Sequence, residues 1–187
     1  MAKVTLENLN KIFVSKIGKD VKAVNDFNLL LEDGEILALL GSSGCGKTTT
    51  LRMIAGFETA TSGQIKIGER IVNDLKPADR NVAMAFEGYA LYPPLTVKDN
   101  IAFSLMREKI SKDKVDSKVM EVAELLEITD ILERYPPSIS GGQQQRVSLA
   151  RALVRDSDAL LLDEPMSQLE PQLRAVLRAR VKDYIQH

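Results

Sequence analysis

One run of this chain has the residue types and spacing to hold a triphosphate: Gly41, Ser42, Ser43, Gly44, Cys45, Gly46, Lys47 and Thr48. It satisfies G-x-x-x-x-G-K-[ST], the P-loop. Glycines let backbone N–H groups close around the β- and γ-phosphates without side-chain clash. A helix starting near Lys47 adds unpaired N–H groups and a partial positive charge. In this reading Lys47 sets an ammonium against the phosphates and the Thr48 hydroxyl is offered to Mg²⁺. The flanks agree. An apolar run, Ile36, Leu37, Ala38, Leu39 and Leu40, reads as a buried strand leading in, and residues 49–57, from Thr49, are helix-compatible.

A second group lies far along the chain. Ala159, Leu160, Leu161 and Leu162 lead into Asp163, Glu164 and Pro165. An apolar run of this kind reads as a buried parallel strand. Ligands of α/β sheets gather outside the carboxyl ends of strands. Alone, the two carboxylates are as well read as a strand end meeting solvent. Beside a P-loop they become a metal and water pair: Asp163 for the Mg²⁺ shell, Glu164 to accept a proton from the attacking water. Ser140, Gly141, Gly142 and Gln143 precede an amphipathic stretch from 144 to 155. Their residue types suit a plain helix N-cap or a second anion cradle. Phe13 suits either core filling or stacking on an adenine ring. His187, the last residue, reads as a frayed terminus.

The elements that must position these residues follow from pattern. Residues 4–9 alternate imperfectly and 21–31 read as a second strand, closed by a turn at Asp33 and Gly34. Residues 64–67 and 70–72 form a hairpin about Gly68 and Glu69, and 82–86 a short strand. Pro93 and Pro94 exclude regular structure from 89–97, an apolar segment suited to a packed connector or a binding surface. Helices are expected over 98–107, 112–128, 144–155 and 170–185, the last with Leu173, Val176, Leu177, Val181 and Ile185 on one face.

Composition bounds the rest. The chain has 187 residues, 44 % hydrophobic and 27 % charged, with formal net charge -1. That is enough for one domain with a sizeable core, without the basic surplus of a nucleic-acid binder. No apolar run reaches membrane-spanning length. Residues 1–10 lack an apolar signal core, so the expected address is the cytoplasm. Cys45, the single cysteine, cannot build a disulfide framework and fills a small position in the loop.

Taken together, these motifs resemble the ATP-binding subunits of ABC transporters, most closely those of bacterial carbohydrate importers of the maltose and glycerol-phosphate type. Residues 41–48 match the Walker A segment. Ser140, Gly141, Gly142, Gln143, Gln144, Gln145 and Arg146 match the signature, and Leu160 to Glu164 match Walker B. Tyr89, Ala90, Leu91, Tyr92 and Pro93, then Leu95, Thr96, Val97, Asp99 and Asn100, resemble the importer stretch after the Q-loop. The resemblance implies an α/β fold: a P-loop NTPase (RecA-like) core, an N-terminal antiparallel β subdomain and a helical subdomain over about 98–155. One ATPase domain then occupies 1–187. It implies that Phe13 stacks on adenine and that Ser140, Gly141, Gly142 and Gln143 touch ATP held by the opposite subunit of a head-to-tail pair. The nucleotide site becomes Gly41 through Thr49 with Lys47 and Glu164 catalytic. Residues 89–96, beginning at Tyr89 and ending at Thr96, receive a membrane permease, with a solute-binding protein engaged indirectly. The implied work is ATP hydrolysis with Mg²⁺ that drives import of a sugar or polyol, on the inner face of the cell membrane.

Three departures from that pattern stand out. The family usually has glutamine where this chain has Glu87, a catalytic and metal-sensing position. Glutamate still accepts from water but loses the amide donor. Ser167, Gln168, Leu169 and Glu170 replace a loop that usually ends in aspartate. The family's switch histidine follows a further strand, and His187 is not at that position. The expectation is therefore a fold truncated at its C-terminus, with an unfilled slot beside the P-loop strand and weak activity. Alternatives are a regulatory ATP-binding subunit with weak hydrolysis, or a non-transport ATPase of the same class.

Overall fold

The computed structural model describes residues 1–15, 18–86, 88–106 and 110–186. Glu87 and His187, named above, and residue 107, the end of the helix expected over 98–107, lie outside the described residues. The chain forms two compact units, Met1–Ala83 with Ser157–Leu161, and Met84–Asp156 with Leu162–His187.

In the first unit, β1 (Val4–Phe13), β2 (Val21–Leu31), β3 (Ser62–Ile67) and β4 (Arg70–Ile71) form an antiparallel sheet of order β2-β1-β3-β4. The imperfect alternation of the first strand has a physical cause. Val4, Leu6 and Leu9 are all buried, yet Leu6 and Leu9 are out of phase for a period of two. Pairing with β2 slips between Leu6 and Leu9, and pairing with β3 slips between Glu7 and Asn10. Asn8, at φ 48°, sits in this irregularity. An extra residue rephases the strand and returns Leu9 to the core. Side-chain amides hold it: Asn28 Oδ1 accepts from the Asn8 N–H at 2.8 Å, and Asn10 Oδ1 from the Asp26 N–H at 2.9 Å.

Helix α1 (Lys47–Ala55) belongs to the same unit and buries Thr50, Met53, Ile54 and Ala55. It begins at Lys47, where the phosphate-loop reading places the helix start. Its C-terminus is gripped by Arg80, only 3 % exposed. The Arg80 guanidinium donates to the carbonyls of Met53 at 2.7 Å and Ile54 at 3.0 Å. It also donates to Leu75 and Asn73, each at 2.9 Å. A cation here meets the last carbonyls of the helix and the negative end of its dipole. Burial pulls the guanidinium pKa down and nearby Asp74 opposes the change.

The expected strand over residues 36–40 is absent. These residues carry no strand structure, and Leu40 is 90 % exposed. A strand needs neighbours to accept and donate its backbone bonds. Among the described residues, neither sheet takes 36–40 as a member, so an apolar run suited to burial stays irregular.

β5 (Val82–Ala85) and β6 (Ala159–Leu162) pair in a two-stranded sheet. The Asp158 N–H donates to Asn81 and the Asp163 N–H to Ala85, at 2.9 and 3.1 Å, so the strands run in the same direction. The second unit is otherwise helical: α2 (Val97–Ala102), α3 (Lys112–Leu125), α4 (Gly141–Leu153) and α5 (Pro171–Gln186). α2, α3 and α4 pack on one another, and α5 packs on α3. α2 ends at Ala102 and gives way to a 3₁₀ turn, Phe103–Leu105, sooner than expected. α4 starts three residues early, at Gly141. On α5 only Leu177 and Val181 are buried, while Val176 is exposed, so the face is narrower than its apolar spacing suggests.

Replacing Arg80 by methionine removes its hydrogen bonds to four carbonyls, of which Met53 keeps the Gly56 N–H. It should cost about 3 kcal/mol in urea unfolding. Arg70→Met, which removes an exposed bridge to Asp158, should cost less than about 1 kcal/mol. Equal losses from the two would contradict the role given to Arg80.

Candidate nucleotide site

The first unit carries Phe13 and residues 41–49; the second carries Ser140, Gly141, Gly142, Gln143, Asp163 and Glu164. In the first, Gly46 is the N-cap of α1, at φ 96°, with no side-chain cap and no acidic residue in the first turn. The first turn therefore has neither a side-chain cap from Gly46 nor an acidic residue to offset the positive end of the helix. Glycine is required at this position. A Cβ on Gly46 would lie 2.3 Å from the Ala23 carbonyl oxygen, and the φ is left-handed. So β2 fixes where the phosphate loop meets its helix. The Lys47 ammonium turns into the loop, donating to the Gly41 carbonyl at 2.8 Å and the Ser42 carbonyl at 3.0 Å. It also lies 3.7 Å from Cys45 Sγ. Residues 41–45 are exposed, whereas 46–49 are half-buried and Thr50 is buried. Thr50 is tied back to the Gly46 carbonyl through its N–H and its hydroxyl, at 2.8 and 2.9 Å.

A cavity of 320 Å³ adjoins the loop, lined by Lys22, Val24, Phe27, Leu39, Leu40, Cys45, Gly46 and Lys47 among others. That size suits a small ligand, with apolar walls and a cation at one end. Phe13 does not line it. It is 40 % exposed at the end of β1, and Lys11 Nζ stands 4.8 Å from its ring centroid. Phe13 is thus outside the core, which favours the stacking alternative.

In the second unit, Asp163 and Glu164 lie just past the carboxyl end of β6. Asp163 is 7 % exposed, and its N–H is bonded to Ala85. Glu164 is exposed and left-handed, at φ 48°. Ser140 is the N-cap of α4 with a full capping box. Its hydroxyl accepts from the Gln143 N–H at 3.3 Å, and Gln143 Oε1 accepts from the Ser140 N–H at 2.9 Å. The box uses those two donors, and the N–H groups of Gly141 and Gly142 have no intrahelical acceptor. The first turn of α4, like that of α1, carries no acid. The plain N-cap reading therefore holds, and the anion cradle reading is compatible with it.

The apolar segment over 89–96 is built, not slack. Asn100, 0 % exposed, accepts from the Tyr92 N–H at 2.8 Å and donates to the carbonyls of Tyr92, Leu95 and Thr96 at 2.9 to 3.0 Å. Arg151 of α4 stands 4.8 Å over the Tyr92 ring and donates to the Ala90 carbonyl. Tyr92 and Phe103 pack at 4.6 Å between centroids, and both rings stay partly exposed. Sequence reasoning missed the clamping roles of Arg80, Asn100, Gln145 and Arg151. For Gln145 a signal was present: with Ser148, Leu149 and Ala152 it falls at helical spacing on the buried side of α4.

A glycine loop opening a helix that has no side-chain cap, with a lysine folded into the loop, defines a P-loop nucleotide-binding protein. The chain belongs to the ABC transporter family, whose domain it matches over residues 24–167. It is 46 % identical over 182 residues to the sn-glycerol-3-phosphate import ATP-binding protein UgpC of Brucella abortus (strain 2308), covering 97 % of this chain and 51 % of that protein. It is 50 % identical over 188 residues to the trehalose/maltose import ATP-binding protein MalK of Thermococcus litoralis, covering 97 % and 49 %. The chain thus spans about half the length of these relatives. It also superposes on the dimeric, post-hydrolysis ATP-binding cassette MJ0796 bound to ADP and Pi, with TM-score 0.89 and 27 % identity, covering 98 % and 83 % of the two chains. The α/β cassette fold expected from the sequence is therefore established.

Gly46→Ala should weaken binding of a fluorescent ATP analogue at least about tenfold, since the added methyl must displace β2 or the helix start. Unchanged affinity would show that the contact with Ala23 does not set the loop.

Proposed function

We propose that this chain binds and hydrolyses ATP with Mg²⁺, and that hydrolysis drives import of a small solute, a sugar or polyol, through a membrane permease. The observation that carries the reading is the acid-free start of α1 at Gly46, with Lys47 turned into the loop. The names of the relatives, import ATP-binding proteins for glycerol phosphate and for maltose or trehalose, support the solute class.

In this proposal one ATPase domain spans 1–187, with a helical subdomain over about 98–155. Loop N–H groups of Gly41, Ser42, Ser43, Gly44, Cys45, Gly46 and the first-turn residues to Thr49 bind phosphate oxygens. Lys47 exchanges the Gly41 and Ser42 carbonyls for the β- and γ-phosphates, an acceptor of higher charge. Phe13 offers its exposed face to the adenine. The Glu164 carboxylate takes a proton from water as the water oxygen attacks the γ-phosphorus, and the bond to the β–γ bridging oxygen breaks. Lys47 and the loop N–H groups meet the charge that collects on ADP. Glu87 is proposed to hold the same water. The Thr48 hydroxyl and Asp163 carboxylate are oxygen donors of the kind Mg²⁺ selects, and the described residues hold no cluster of three His, Cys, Asp or Glu that would form an all-protein cage. When bound, Mg²⁺ neutralises the phosphate oxygens.

The partners in this reading are a second ATP-binding subunit, set head-to-tail, and the permease. Ser140, Gly141, Gly142 and Gln143 face the nucleotide of that second subunit, and the clamped segment 89–96 faces the permease. A solute-binding protein acts indirectly, and no nucleic acid is involved. No helix among the described residues is long and apolar enough to cross a membrane. Work with a permease places the proposed location on the cytoplasmic face of the membrane, at its periphery.

Glu164→Gln should keep ATP affinity within about twofold while turnover falls about 10²-fold or more. Lys47→Ala should instead weaken ATP binding at least about tenfold. Phosphate release and equilibrium binding measured on the same preparations separate the two. A Glu164→Gln protein with full turnover would remove Glu164 from the chemistry.

A further inference from the structure

Gln145 is the one signature residue that faces inward. It is 1 % exposed, on the second turn of α4, and its amide is fully used. Nε2 donates to the Glu164 carbonyl at 3.1 Å and to Ser167 Oγ at 3.0 Å. Oε1 accepts from the Gln168 N–H at 2.9 Å. All three partners lie on the turn that follows β6. A glutamine has two amide hydrogens and a carbonyl oxygen, and each meets a partner on one five-residue stretch. The target is also unusual: Glu164 holds a left-handed backbone at φ 48° without being glycine, a conformation that persists only where its surroundings impose it.

We propose that Gln145 is a positioning residue for Glu164. Its amide holds the Glu164 carbonyl and the 167–168 turn, and so sets the direction in which the Glu164 carboxylate leaves the end of β6. The same helix begins at Gly141, four residues earlier and about 6 Å along the axis. Gln145 thereby links the N-terminus of α4 to the carboxylate at the end of β6 within one chain. This inference rests on the proposed role of Glu164 in hydrolysis.

The test uses the full-length protein assembled with its natural partners, and begins with turnover of the unaltered protein. Absence of hydrolysis there defeats the proposed function itself. Gln145→Glu keeps an acceptor for the Gln168 N–H, and the Ser167 hydroxyl can reverse to donate, but it sets a carboxylate oxygen against the Glu164 carbonyl. It should lower kcat about 10- to 100-fold, with the affinity for ATP within about twofold. In a Glu164→Gln background the same change should lower the residual rate less than about twofold, because residues that act as a unit are not additive. A merely structural role would multiply through both backgrounds and overturn the proposal, as would an unchanged kcat. Should Gln145→Glu fail to fold, Ser167→Ala takes its place. It removes an exposed hydroxyl and one acceptor of the amide, and should lower kcat about three- to tenfold with the same loss of effect in the Glu164→Gln background. Full turnover by Ser167→Ala, or an equal drop in both backgrounds, would overturn the proposal.

Discussion

The structure depends on starting α1 without a side-chain cap or an acidic first turn. A helix N-terminus exposes donors that have no partner of their own, and most proteins cover them with a serine, an aspartate or an acidic first turn. Here Gly46 supplies no side chain, no acid follows, and the Ala23 carbonyl stands where a Cβ would go. The opposite end of the helix is over-provided: Arg80 binds the Met53 and Ile54 carbonyls and anchors them to Asn73 and Leu75. The helix is fixed at its C-terminus by a cation and begins without a side-chain cap, and the proposed phosphate binding rests on that arrangement.

Helix α4 in the second unit repeats the logic with a different cap. Ser140 and Gln143 close a capping box, which steadies the entry of the chain while leaving the glycine donors. Along the same helix, Gln145 reaches the turn after β6 and Arg151 reaches the segment after β5, through Ala90 and Tyr92. Two stretches of the second unit, the turn after β6 and the segment after β5, are therefore held by side chains of the helix that carries the capped start at Ser140. Buried, fully satisfied polar side chains such as Gln145 and Asn100 carry this arrangement, and they are costly to replace because each would orphan several partners.

Much of this was legible from the residues. β2 coincides with the expected 21–31, the 64–72 hairpin is present, and β6 ends just before Asp163, because period-two and apolar-run signals are local. The P-loop was legible because its glycines and lysine answer to local backbone demands. What failed was non-local. Residues 36–40 have the composition of a buried strand, but a strand also needs neighbours, which composition does not report. The bulge at Asn8 spoiled the alternation of β1 because it depends on amides of Asn10 and Asn28 from neighbouring positions in the sheet. Gln145 reads as part of the signature, Asn100 as part of the importer stretch and Arg80 as a loop residue, but only the fold shows that each is bonded to several backbone groups.

The central claim is that the loop at α1 recognises the phosphates of a nucleotide. Calorimetric titration of this chain with ATP and with AMP, both with Mg²⁺, tests it most directly. A site made of loop N–H groups, Lys47 and the end of α1 should bind ATP at least about tenfold more tightly than AMP. Equal affinity for the two, or binding of neither, would contradict the account.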